Sequence, residues 1–137
     1  MVDFVADVSR WVARAKERSD LAFRGIAMAA VDRVKELTPV RTGHLRANWI
    51  DLQPGQAVPK ESAAPIVGQA IQHAKAGEVV LVVNPVPYAR RVNYGFQGED
   101  SAGREFHYNG RGMVQQTIAE MPEIAERVLR DIKRGGV

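Results

Sequence analysis

An α+β fold, a small antiparallel β-sheet packed by a long N-terminal helix and a C-terminal helix, is predicted by three features of the sequence. Apolar residues recur every three or four positions at both ends of the chain, a run of aliphatic residues lies near its middle, and Pro, Gly and Asn punctuate the stretches between. The 137 residues fit one domain, spanning 1–137, with no internal repeat. A chain of this size buries roughly two-thirds of the surface it exposes when unfolded.

The first element follows from Phe4, Val8, Trp11 and Ala15, then Phe23, Ile26, Ala27, Ala30, Val31, Val34 and Leu37, which trace one amphipathic helix from Asp3 to Leu37. The apolar stripe lapses at Lys16–Asp20, where a bend or break is expected. Gly25 adds about 1 kcal/mol of local cost relative to Ala. Pro39 disfavours helical geometry in the residue before it, so the helix ends at Leu37 or Thr38. Leu45, Ala47 and Trp49 alternate with Arg46, Asn48 and Ile50, which predicts a strand entered through a Thr42-Gly43 turn. Gln53 to Ala63 reads as a loop, and Pro65 opens a short helix to about Ala76.

EVVLVVN, Glu78 to Asn84, predicts the strongest strand and a central place in the sheet. Tyr88 and Val92 stand one helical turn apart, with Gly95 as a left-handed cap. Gln97 to Arg104 reads as a mobile loop, and Phe106, His107 and Tyr108 as a short strand closed by Asn109-Gly110. A second amphipathic helix runs from Met113 to Ile132, kinked or restarted at Pro122, and residues 134–137 fray.

Composition narrows the classes. With 45% hydrophobic and 26% charged residues and no apolar run near the roughly 20 residues that span a bilayer, a soluble protein without membrane partners is expected. The N-terminal MVDFVADVSRW carries acids and an early Trp in place of a leader pattern, which predicts a protein kept in the cytoplasm. Zero cysteines exclude disulfides and thiolate metal sites. A net charge of +3 and a pI near 9.5 suit proximity to nucleic acid but are modest for a dedicated binder.

No catalytic, cofactor or metal constellation stands out. His44, His73 and His107 lie far apart without a partner ligand at metal-binding spacing, no serine sits in a nucleophile elbow, and GFQGEDSAG lacks the Lys of a phosphate loop. REFH, Arg104 to His107, is where a small basic nuclease would keep a general base beside a phosphate-binding Arg. That nucleic-acid-binding or nuclease reading is the distant alternative. Phe96, in a polar stretch, reads as an exposed anchor for a partner.

Two segments carry a resemblance. TPVRTGHLRANW after the first helix, and VNPVPYARRVNYGF followed by REF before the last one, resemble in order and spacing the tail-completion (neck) proteins of long-tailed double-stranded DNA bacteriophages. The similarity spans about Val31 to Val128. It implies a non-enzymatic structural protein of the virion neck, assembled in the bacterial cytoplasm. The copies form a ring, with six the expected number, between the head connector and the tail tube. Neighbouring neck, tail-terminator and tail-tube proteins are the implied partners, with passing genomic DNA a contact without sequence specificity. A tail terminator or a head stopper of the same neck is the near alternative. Arg41 and Asn93 stand where that family commonly has acids, and Glu105 where it has Pro.

The interface reading comprises Arg41, Thr42, Arg46, Tyr88, Arg90, Arg91, Tyr94, Phe96 and Arg104, with Pro39, Gly43 and Gly95 shaping turns. Arg41, Arg46, Arg90 and Arg91 are expected to flank one another. In a ring they bridge subunits or face DNA; in a monomer they form a solvated basic edge. Arg46 and Arg90 are assigned to subunit contacts, and the 97–104 loop is expected to order on assembly.

Overall fold

The computed structural model describes residues 4–63, 69–99 and 101–135. Helix α1 spans Phe4–Leu37 without interruption, 34 residues or about 51 Å. The expected break at Lys16–Asp20 is absent. Lys, Glu and Arg are good helix formers, so losing the apolar stripe there removes a buried face without ending the helix. Helix α2, His44–Ala47, leads into strand β1, Ile50–Leu52, which pairs antiparallel with β2, Leu81–Val83. Helix α3, Ala89–Tyr94, runs directly into β3, Gly95–Glu99, which forms an antiparallel hairpin with β4, Glu105–Asn109. Helix α4, Met113–Arg134, closes the fold and passes through Pro122 without a restart.

The α+β class stands, but the strands make two separate two-stranded sheets, where one was expected, and the helices pack on each other. Gly25 of α1 meets Val128 of α4, and Arg33 of α1 meets Glu120 of α4, so the two helices run antiparallel. A Cβ at position 25 would lie 2.8 Å from the Val128 side chain, so the glycine is what permits this approach. Arg33 bonds Glu120 through Nε and Nη2 at 3.0–3.2 Å. These hydrogen bonds hold the Glu120 carboxyl below its ordinary pKa and the Arg33 guanidinium above its own. Val34, Trp49 and Met113 form the central buried cluster, flanked by Leu37, Val92 and Val114.

Four further expectations change. The stretch read as a strand at Leu45–Trp49 is α2 and its exit, because Leu45, Asn48 and Trp49 are the buried residues. Their spacing of three and four is helical, and Asn48 is inside because its side chain bonds the backbone of His44 and Ser62. The helix expected from Pro65 begins outside the described residues. From 69 to 77 the chain turns irregularly, since Asp51 and Asp20 carboxylates accept the Ile71 and Ala76 N–H groups that a helix would pair internally.

The central strand expected at Glu78–Asn84 shrinks to β2, with β1 its one neighbour among the described residues. Val79, Leu81 and Val82 are exposed there. An apolar run signals β propensity but not how many strands flank it. Finally, Gln97–Glu99 of the expected loop belong to β3, paired to residues 105–107.

Candidate partner-binding groove

Thr38, 1% exposed, anchors the turn that follows α1. Its hydroxyl donates to the Val34 carbonyl at 2.6 Å and accepts the Trp49 indole N–H at 2.8 Å, while Arg46 Nη2 donates to the Thr38 carbonyl at 3.1 Å. Ten residues are thereby closed into a tight excursion. Within it Gly43 adopts φ 84°, ψ −3°, the left-handed conformation a side chain resists, and Thr42 Oγ1 accepts the His44 N–H at 3.3 Å. Asn84 Nδ2 donates to the Leu45 carbonyl at 2.8 Å and ties the excursion to the chain after β2.

The facing wall comes from α3, β4 and the connection between β4 and α4. Val92 N–H donates to the Tyr88 carbonyl at 3.1 Å, placing both side chains on one turn, as their spacing predicts. The Val92 and Asn93 carbonyls accept the N–H groups of Arg111 and Gly112 at 2.8 and 2.9 Å. Asn93 Oδ1 accepts the Val114 N–H at 3.0 Å, at the beginning of α4. Gly95 has the expected positive φ of 89°, yet its ψ of 171° makes it an extended corner into β3 and not a left-handed helical cap. A Cβ there would meet the Tyr108 carbonyl at 2.6 Å.

Between these walls lies an open groove of about 850 Å³, lined by residues 39–45 on one side and Tyr88, Val92, Tyr108 and Arg111 on the other. Arg41, Thr42, Pro39, Gly43 and Tyr88 of the sequence-based set therefore meet in one place. Among the described residues, no Asp or Glu lines the groove. His44 reaches Glu61 outside the lining, Nε2 to Oε2 at 2.9 Å. The rims are apolar and exposed, with Val40 at 55% and Tyr88 at 45%.

Other members of the set sit elsewhere. Arg46 is bound to Thr38; Arg90 lies 5.9 Å from the Tyr94 ring centroid and Arg91 4.1 Å from that of Phe96. Arg41 thus shares the groove with Arg111, while Arg90 and Arg91 stack on the aromatics after α3. Phe96 packs within its own chain, its ring over Gly98 and under Arg91, while Tyr94 is the exposed aromatic at 65%. Arg104 is exposed just before β4.

Tyr108 and Arg111 were not in the sequence-based set. The one signal for Arg111 is its place between Gly110 and Gly112. His107 and Glu105, 3.8 Å apart and each about 70% exposed, stand on open strand surface and not in a cleft. His73 borders a separate depression beside β1. Among the described residues no cluster of three or more His, Asp or Glu is placed to hold a metal, and no helix is long and apolar enough to cross a membrane. No protein-family model, curated protein or solved structure matches the chain.

Proposed function

We propose that this chain is a structural protein of a phage neck that completes the tail end and joins it to the head connector as a ring of copies, six being the expected number. The observation that carries the reading is the convergence of the two segments bearing the resemblance on one exposed groove, the first through residues 39–45 and the second through Tyr88 and Val92. Segments separated by about forty residues in sequence build a surface of arginine, tyrosine and apolar rim, the composition favoured at protein contacts. Rigid turns hold that surface, and His44 in its lining is tied to Glu61 through its ring Nε2. A contact role uses these features.

Electron microscopy of lysates from a parent phage or prophage deleted for this gene, beside the complemented control, tests the reading. Filled heads apart from tails of normal length are the expected result. Overlong tails would reassign the chain as a terminator, and leaking heads as a stopper. Intact infectious virions would overturn the neck role and direct attention to nuclease assays around His107.

A further inference from the structure

The β3–β4 hairpin is poorly covered by the rest of the chain. Residues 101–105 and 107–109 are exposed, and β3 packs on α3 at the hairpin's base. A two-stranded hairpin is marginal in water without such cover. Among the described residues its far end is also acidic on balance, with Glu99 and Glu105 against Arg104. The groove has the opposite character, with Arg41 and Arg111 and no carboxylate among its described lining residues.

The tip and the groove are separated on one chain. Tyr108, near the hairpin's base, lines the groove, and strands of five residues carry the tip about 16 Å from that base. Complementary surfaces at two distinct places on one molecule join copies head to tail, and such a heterologous contact closes into a ring when the rotation allows.

We infer that the acidic tip of the β3–β4 hairpin of one copy docks into the Arg41–Arg111 groove of the next copy. The inference deepens the ring reading above and rests on it. Arg41 and Arg111 meet the Glu99 and Glu105 carboxylates, and the exposed rim at Val40 and Tyr88 closes over the tip. The apolar rim favours a protein occupant over the phosphates of DNA, which bring no apolar surface to bury.

Charge exchange in the full-length chain tests the contact, read by native mass spectrometry and light scattering. Arg41→Glu with Arg111→Glu makes groove and tip both acidic; Glu99→Arg with Glu105→Arg makes both basic. Each double variant alone is expected to weaken self-association at least about a hundredfold relative to wild type, since like charges then face each other. A one-to-one mixture restores assembly, because each variant's tip matches the other's groove, and the particles contain even numbers of chains. All the exchanged side chains are exposed, so circular dichroism spectra should match wild type.

The absence of cysteine allows a second measurement. Thr42→Cys with Ser101→Cys in one chain should give an oxidised ladder of intermolecular disulfides that ends at the ring size. Wild-type chain that stays monomeric, double variants that assemble like wild type, or a mixture that stays apart would each overturn the proposal. Monomeric wild type whose retention on duplex DNA is lost in the Arg41→Glu, Arg111→Glu variant would also overturn it and assign the arginines to phosphate. A failed exchange together with separated heads and tails in the deletion strain would sink this contact and keep the neck role. A successful exchange with normal virions would do the reverse.

Discussion

Replacing Thr38 by Val keeps the shape of the side chain and removes its hydroxyl. Trp49 Nε1 then loses its 2.8 Å acceptor inside the core, and the Val34 carbonyl its 2.6 Å donor. A buried polar group left without a partner costs about 1–3 kcal/mol, so the two losses together should remove about 2–6 kcal/mol. Set against the 5–15 kcal/mol that holds a typical domain, that is a large share and corresponds to a melting point lower by about 10 °C or more. Thr38→Ser is the matched control, because it keeps the hydroxyl and gives up one buried methyl, about 1 kcal/mol. Urea unfolding followed by circular dichroism ranks the three chains, with wild type above Ser and Ser above Val. A Val variant within about 0.5 kcal/mol of wild type, or less damaging than Ser, would refute the claim that this hydroxyl clamps the Arg41 excursion.

Other substitutions probe the remaining supports. Gly25→Ala gains about 1 kcal/mol of helix propensity but forces Cβ against the stiff, β-branched Val128 at 2.8 Å; net destabilisation of about 1 kcal/mol is expected in denaturant unfolding. Val128→Ala should relieve that clash, and a double-mutant cycle with no coupling would contradict close helix packing here. Gly95→Ala combines a strained φ of 89° with a clash on the Tyr108 carbonyl, so a loss of about 3 kcal/mol is expected, with faster proteolysis between residues 96 and 110. Glu120 is held below its ordinary pKa by Arg33, so its contribution is present above the unfolded carboxylate pKa and disappears as pH falls through the lower folded value. Glu120→Gln should therefore lower the melting point at neutral pH and flatten its decline in acid; an unchanged acid profile would discount the pair.

Both long helices were legible in the sequence because their apolar residues repeat at the helical period over many turns. The end of α1 at Leu37 followed from Pro39, and the Tyr88–Val92 turn from its spacing. The expected break at Lys16–Asp20 failed because helix formers there need no buried face; the other failures lie in short segments whose burial is decided by distant partners. Leu45 and Trp49 satisfy a period of two and a helical turn equally, and only the bonds of Asn48 to His44 and Ser62 choose between them. The 69–77 stretch is irregular because Asp20 and Asp51, far away in sequence, take its N–H groups.

The candidate groove was legible in part, since its two main segments were singled out before their meeting was visible. Arg111 joined them through backbone bonds from Arg111 and Gly112 to the end of α3, and Tyr108 through the pairing of β3 with β4, which no local pattern announces. Gly25 had been read as a local penalty, and its use emerged only with Val128 across the helix pair.

The proposed place of this chain is the neck of a virion. Immunogold labelling of virions purified from the phage or induced prophage that encodes this chain, with antibodies against the chain, tests it most directly. Gold confined to the head–tail junction is the predicted result. Unlabelled virions, with the chain recovered only in the soluble fraction of the lysate, would contradict it.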